Sequence, residues 1–286
     1  MSLWVQGARP RTLTVSIVPV IVGCAAAGRF APVRLVLLLI VALGMQVGVN
    51  YANDYSDGVR GVDTVERRGP VRLTASGLKA PRAVLAASLL SFLAAAIAGG
   101  VLAMLTSWWL LLVGIAAVFG ALGYSGGPAP YGARGLGEIF VFVFFGLVAV
   151  AGSAYVQAGT IPARAWWAAV PTGLLAVAVL VANNLRDIPT DTAAGKRTLA
   201  VRLGDPATRA LYALIVIVSY LVVGLGVLGP LSAVTLIVLI TVPMAIGGIM
   251  MAQRAKTPPQ MVSVLLATVR LHLVFGLGLA LGMWLR

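Results

Sequence analysis

The stretch VRLVLLLIVALGMQVGVNYANDYSDGV, residues 33–59, passes from an apolar run long enough to cross a bilayer directly into a group of carboxylates. Residues 170–191, VPTGLLAVAVLVANNLRDIPTD, repeat this arrangement farther along the chain. An acidic side chain at the centre of a membrane helix costs about 2.5–3.5 kcal/mol, so acids grouped at the edge of such helices indicate a functional site. These two stretches therefore predict both the class of the fold and the position of its chemistry.

The composition extends the apolar pattern to the whole chain. Of the 286 residues, 60% are hydrophobic and 10% are charged, and the mean hydropathy is +1.01. A span needs about 20 mainly apolar residues, and backbone in lipid must satisfy its own hydrogen bonds, so helices are expected. We predict an all-α polytopic membrane protein, with about nine transmembrane helices around a central cavity in a single domain, residues 1–286. The candidate spans are residues 12–28, 33–52, 83–105, 107–125, 137–157, 165–184, 210–228, 231–252 and 262–285.

The distribution of Lys and Arg predicts the orientation of these spans. With the N-terminus in the cytoplasm, sixteen basic residues fall on the cytoplasmic side, whereas only Arg29, Arg34, Arg164 and Arg286 fall outside. The positive-inside rule therefore favours a cytoplasmic N-terminus in a cell membrane. The basic residues are spread over short loops, which argues against nucleic acid as a partner.

The first 28 residues resemble a signal peptide, but eight further spans follow, so an uncleaved first helix is expected. The single cysteine, Cys24, excludes an intrachain disulfide and is expected to be a small buried hydrophobe.

Six of the eight acidic residues lie in two clusters, which follow the second and sixth spans on the same predicted side of the membrane. Asn53 and Asp57 are spaced i,i+4, as are Asn183, Asp187 and Asp191, so each set lines one helix face. Carboxylate and amide oxygens suit Mg²⁺, which also bridges to phosphate oxygens. The alternative is two solvated helix ends whose acids pair with neighbouring arginines.

At this point the motifs resemble a known family. The stretches NDYSDGVRGVD (53–63) and NNLRDIPTDTAAGKRTLAVRLG (183–204) are similar to the two signature motifs of the UbiA-type intramembrane prenyltransferases. Residues 9–23, 69–84 and 124–146 support the resemblance, which covers most of the chain through about residue 204. The three spans after that point are generic.

One departure from the general family pattern concerns the first motif. The general spacing is Asn-x-x-x-Asp-x-x-x-Asp, but Gly61 stands where the third member is expected and the next acid is Asp63. This longer spacing resembles the branch of the family that prenylates 1,4-dihydroxy-2-naphthoate in menaquinone biosynthesis.

The resemblance implies an electrophilic aromatic substitution in which a polyprenyl diphosphate loses diphosphate and the naphthoate loses carbon dioxide, giving a demethylmenaquinol. Metal ligands for Mg²⁺ would come from Asn53, Asp57, Asp63, Asn183, Asn184, Asp187 and Asp191. Candidates for diphosphate contacts are Arg60, Arg72, Lys79, Lys196 and Arg197. The resemblance also suggests that Tyr124 shields the allylic cation, that Tyr131 and Glu138 face the acceptor, and that Asp54 is a base or a ligand. Partners would be the two substrates and membrane lipid, with no obligate protein partner.

Two alternatives remain from the sequence. The acceptor could be another aromatic compound such as 4-hydroxybenzoate, which the branch resemblance disfavours. A secondary transporter could also bind cations at two acidic helix ends, although transporter sites lie near the bilayer midplane. A purely structural scaffold would give no reason for clustered carboxylates beside Lys196 and Arg197.

Overall fold

The computed structural model describes residues 2–61, 72–127 and 130–285, and these residues contain no β-strand. The helices are α1 (Leu3–Gly7), α2 (Thr14–Ala27), α3 (Pro32–Val59), α4 (Pro81–Leu105), α5 (Trp109–Ser125), α6 (Gly137–Val141), α7 (Gly152–Ala158), α8 (Ala163–Ala193), α9 (Leu199–Val227), α10 (Val242–Arg254) and α11 (Pro258–Trp284). Short 3₁₀ segments cover Pro10–Thr12, Tyr131–Arg134 and Ala233–Thr241, and the last of these leads into α10. The segment Phe142–Ala151 is a π-helix that joins α6 to α7 in one span, Gly137–Ala158.

This is a multi-pass membrane protein. In the described part of the chain, seven helices are long and apolar enough to cross a membrane, and the bent pair Leu3–Thr12 and Thr14–Ala27 brings the number to eight. The 17-residue apolar helix Trp109–Ser125 is shorter than this group. Each of the nine predicted spans therefore falls on a helix, while the count of nine crossings stays a prediction.

The two helices that carry the acidic motifs are longer than their predicted spans. α3 continues to Val59 and α8 to Ala193, whereas the apolar pattern predicts span ends at residues 52 and 184. Hydropathy marks where apolar character ends, but the helical backbone continues through the polar residues. Both motifs consequently lie on regular helix, with their i,i+4 residues on one face.

The core is centred on α8. Its buried residues, such as Leu175 and Ala178, belong to one apolar cluster with Val18 of α2, Tyr212 of α9 and Phe275 of α11. Helices packed on several sides hold α8 in place. The second acidic motif is therefore attached to a helix that other helices enclose on several sides.

Glycine permits close helix contact in places that composition alone did not identify. A β-carbon on Gly173 would lie 2.7 Å from Cα of Gly146, so α8 and the π-helix meet backbone to backbone. A β-carbon on Gly100 of α4, by contrast, would meet no atom within 4 Å. Small residues favour close packing only where a second helix lies opposite.

Candidate active site

The two acidic motifs converge on one large cavity of about 1380 Å³. Drug-sized ligands occupy pockets of about 300–1000 Å³, so this space suits something larger. Its polar end is lined by Asn53, Asp57, Arg60, Arg72, Asn183, Asn184, Arg186, Asp187, Asp191 and Lys196. Beyond that end the lining becomes apolar, with residues such as Leu38, Val41, Leu102, Val113 and Val148.

A lysine connects the two motifs directly. Lys196 Nζ lies 3.4 Å from Oδ2 of Asp57, and the backbone N–H of Lys196 donates to the carbonyl of Asp191 at 2.8 Å. Arg72 approaches the same Asp57 carboxylate at 4.0 Å. The carboxylate of Asp57 is almost fully buried, so these cations offset the cost of its charge.

The second motif contains its own ion pair. Arg186 donates from Nε and Nη2 to the two carboxylate oxygens of Asp187, each at 2.7 Å, and from Nη2 to Oδ1 of Asn183 at 2.9 Å. Two-pronged contacts of this kind fix both side chains in one plane. Arg186 is one of the neighbouring arginines that would pair with the acids of a solvated helix end, but it lines the cavity and orients two predicted metal ligands.

The first motif is fastened to the end of α5. Ser125 donates its hydroxyl to Oδ1 of Asn53, and Arg60 donates to the backbone carbonyl of Ser125. Arg60 also donates to the hydroxyl of Ser56 at 2.5 Å. Arg60 was predicted to contact diphosphate. It does line the cavity, and its hydrogen bonds join α3 to α5.

Asp54 points away from the cavity lining. Its two oxygens accept the backbone N–H groups of Leu73 and Thr74 at 2.8 and 2.9 Å, and the residue is 2% exposed. The geometry favours a tether between α3 and the segment that precedes α4. It does not support the predicted role as a base or a ligand.

Glu138 is also occupied by a protein partner. Its Oε1 accepts from Nδ2 of Asn184 at 3.0 Å, which links α6 to the second motif, and Glu138 is not part of the cavity lining. Asn184, by contrast, does line the cavity. The contact makes Glu138 a support for Asn184, and nothing in its placement favours the predicted contact with an acceptor.

Four aromatic rings form a continuous row on the cavity wall. Tyr124 meets Tyr131 edge to face at 5.6 Å between ring centroids, Tyr131 stacks on Phe140 at 3.8 Å, and Phe140 faces Phe144 at 6.1 Å. The hydroxyl of Tyr131 donates to the carbonyl of Gly120 at 2.6 Å. Burial raises the pKa of Tyr131 from its ordinary value of 10 to about 12, so this hydroxyl remains a donor at neutral pH.

Two predicted diphosphate contacts lie elsewhere in the structure. Lys79 Nζ sits 5.4 Å from the centre of the Trp4 ring, in a cation–π contact that joins α1 to the segment before α4. Neither Lys79 nor Arg197 belongs to the cavity lining. The backbone N–H of Arg197 donates to the carbonyl of Ala133 at 2.9 Å, which connects the two loops that border the polar end. The predicted ligand Asp63 lies outside the described residues.

The chemistry of the donor set fits a magnesium site. Asp57, Asp187 and Asp191, which carry carboxylates, and Asn53 and Asn183, which carry amides, all line the cavity, and Mg²⁺ prefers carboxylate and amide oxygens. In the part of the chain that the structure describes, no three acidic, histidine or cysteine side chains form a metal cluster by themselves. Amide oxygens, water and the substrate's own oxygens would have to complete the coordination.

The structure adds cavity residues that the sequence interpretation did not assign to the site. Gln6, Arg9, Pro10, Arg11 and Thr12 line the same cavity. Arg9 adopts a left-handed backbone conformation, with φ at 57° and ψ at 60°, which is uncommon outside glycine and clusters at functional sites. Arg9 and Arg11 counted toward membrane orientation and lie in the stretch 9–23 that supports the family resemblance, but neither was predicted to line the site. The available signal was a pair of arginines around Pro10 directly before the first apolar run.

Comparisons with known proteins agree with this architecture. A sequence model described as the UbiA prenyltransferase family matches residues 16–269. A relative from Mycobacterium tuberculosis named 1,4-dihydroxy-2-naphthoate octaprenyltransferase is 49% identical over 255 residues, covering 88% of this chain and 83% of the relative. The apo structure of a UbiA homolog from Aeropyrum pernix has a TM-score of 0.74 at 18% identity and covers 95% of this chain and 98% of its own.

A second solved structure is a UbiA homolog from Archaeoglobus fulgidus bound to GPP and Mg²⁺. It has a TM-score of 0.69 at 14% identity and covers 98% of this chain and 99% of its own. At these identities the two structures establish likeness of fold. The family match runs through both acidic helices and most of the spans around them. Because it covers residues 16–269, the chain belongs to the UbiA prenyltransferase family.

Proposed function

We propose that this protein transfers a polyprenyl group from polyprenyl diphosphate to 1,4-dihydroxy-2-naphthoate, with loss of diphosphate and carbon dioxide, giving a demethylmenaquinol for menaquinone biosynthesis. The observation that carries the proposal is the division of a single cavity into a charged end and an apolar end. A donor with a diphosphate head and a hydrocarbon tail has the same division. The name of the Mycobacterium tuberculosis relative supports the choice of acceptor.

The charged end supplies what diphosphate release requires. Mg²⁺ held by the oxygens of Asn53, Asp57, Asn183, Asp187 and Asp191 would neutralise the leaving group. Arg72 and Lys196 already face Asp57 from the cavity wall, and they are positioned to contact diphosphate oxygens beside the metal. Groups fixed in advance at the place where charge develops stabilise the transition state without reorganisation.

The aromatic row suits the other product of ionisation. When the bond between C1 and the diphosphate oxygen breaks, its electron pair leaves with diphosphate and an allylic cation remains. Tyr124 and Tyr131 line the same cavity as the second motif, and aromatic ring faces stabilise positive charge. The apolar lining beyond them keeps water from the cation.

The proposed substitution needs no base at the ring carbon that attacks the cation. That carbon carries the carboxylate, and after it attacks C1 the departing carbon dioxide leaves its electron pair to the ring. No proton has to be removed from this carbon. Because the reaction requires no base at this carbon, it is compatible with an Asp54 carboxylate that accepts hydrogen bonds from two backbone N–H groups.

We further propose that residues 1–286 work as one domain with the charged end of the cavity toward the cytoplasm. The excess of basic residues on that side supports this orientation. A transporter is not favoured, since the family match is to prenyltransferases.

The test is an assay of the purified protein with a polyprenyl diphosphate, 1,4-dihydroxy-2-naphthoate and Mg²⁺, which follows diphosphate release and prenylated product with an EDTA control. Metal-dependent product is expected. Asp57→Asn should abolish it, whereas Asp205→Asn, at an exposed acid outside the cavity lining, serves as the matched control. Product formed equally well with 4-hydroxybenzoate would contradict the choice of acceptor, and product in EDTA would contradict the role of the metal.

A further inference from the structure

One glycine on α5 gives an aromatic ring its position on the cavity wall. A β-carbon on Gly120 would lie 2.8 Å from Cε2 and 3.1 Å from Cζ of Phe144. Contacts this short do not occur between real side chains, so the Phe144 ring occupies space that any other residue at position 120 would fill. Gly120 and Phe144 both line the cavity.

The surroundings leave the ring little freedom to move except toward the cavity. Phe140 stacks along the wall beside Phe144, and Tyr131 holds Phe140 from the other side while its hydroxyl donates to Gly120. The backbone that carries Phe144 is the π-helix, which is pressed against α8 at Gly146 and Gly173. A side chain added at position 120 would therefore displace the ring into the open space.

The pair lies where the cavity changes character. Gly120 precedes Ser125 by five residues, about 7.5 Å along the helix axis, and Ser125 is bonded to Asn53 of the first motif. Farther along α5 the cavity is lined by Ala117, Val113 and Leu110. Gly120 and Phe144 thus stand between the charged end and the apolar end.

We propose that Gly120 and Phe144 set the donor chain length that this cavity admits, an inference that rests on the proposed prenyl transfer. Without a β-carbon at position 120, the Phe144 ring lies back against α5 and leaves room for isoprene units to pass into the apolar end. A donor with a single isoprene unit extends least far from the charged end toward this level. Longer donors must pass it.

The experiment compares Gly120→Ala with the parent protein on dimethylallyl, geranyl and geranylgeranyl diphosphates at fixed naphthoate. The ratio of kcat/KM for the longest donor to that for the shortest active donor is expected to fall at least tenfold. Gly120→Ala combined with Phe144→Ala should restore the ratio to within about threefold, because the displaced ring is gone. Gly114→Ala is the matched control on the same helix, since its β-carbon would meet no atom within 4 Å.

An unchanged ratio, or equal losses for every donor, would overturn the inference. If Gly120→Ala does not fold, Phe144→Trp narrows the same place without altering the glycine, and it should lower the ratio likewise. The increase in Tm that each diphosphate produces measures how binding depends on donor length, and it requires no turnover. The protein could bind diphosphates according to donor length, lose this dependence in Gly120→Ala, and yet never prenylate naphthoate. That combination would refute the proposed function and still support this inference.

Discussion

Replacement of Asp54 by alanine should mainly reduce the free energy of unfolding and have little direct effect on turnover. The carboxylate accepts two buried backbone N–H groups, from Leu73 and Thr74, at 2.8 and 2.9 Å. A hydrogen bond to a charged group contributes about 1.5–3 kcal/mol, so losing both should reduce the free energy of unfolding by about 3–6 kcal/mol. For a chain of 286 residues, with an unfolding entropy of about 2.1 cal/mol/K per residue, that corresponds to a fall in Tm of about 5–10 °C. Asp54→Asn keeps one acceptor oxygen and should lie between the parent and Asp54→Ala.

The assay is thermal unfolding in detergent, followed by turnover measured well below the Tm of each variant. Asp54→Asn should retain turnover there, because its side chain does not line the cavity. Asp205→Ala is the control, since that carboxylate pairs with Arg209 at a half-exposed site and should cost at most about 1 kcal/mol. If Asp54→Ala keeps the Tm of the parent but shows no turnover, this reasoning is refuted and Asp54 acts as a base or a ligand in the reaction.

Three further predictions concern the site and the bundle. Asp57→Asn and Asp191→Asn should each lower kcat at least a hundredfold in the diphosphate-release assay, measured well below the Tm of each variant, and near-parent activity in either would exclude the paired motif as the metal site. Gly173→Ala should destabilise the protein by about 1–3 kcal/mol in thermal unfolding, because its β-carbon would meet backbone at 2.7 Å, whereas Gly247→Ala, with open space around it, should be neutral. The pKa of Tyr131 is raised to about 12, so its neutral hydroxyl contributes stability up to about pH 10 and this contribution is lost as the pH rises toward 12. Tyr131→Phe should reduce the free energy of unfolding by about 0.5–1.5 kcal/mol at pH 7, and above pH 10 it should lose less further stability than the parent does. Identical pH profiles of stability for the variant and the parent would contradict this prediction.

The positions of the helices and the convergence of the two acidic motifs could be predicted from the sequence. Apolar length predicted where the helices lie, because lipid leaves the backbone few alternatives to helix. The i,i+4 spacing of Asn53 with Asp57 and of Asn183 with Asp187 predicted which side chains share a face, and these residues do line one cavity. The resemblance to the UbiA family is confirmed by the match over residues 16–269.

The roles of individual polar residues could not be predicted in the same way, because their partners are distant in sequence. Asp54 is engaged by backbone nineteen and twenty residues away, and Glu138 by Asn184 forty-six residues away. Lys79 looked like a phosphate ligand from its charge, but Trp4 of α1 lies beside it. Charge and spacing identify candidates, whereas tertiary contacts decide which of them face the cavity.

The division of the cavity into charged and apolar ends has a practical consequence for work on the purified protein. A compartment of about 1380 Å³ with this lining matches any single-chain amphiphile with an anionic head. Anionic detergents and free fatty acids have that form, and burial of their chains is favourable for the same reason as burial of a prenyl tail. Such molecules are expected to compete with the donor, so Michaelis constants measured in micelles should rise with detergent concentration and fall when the protein is returned to a bilayer.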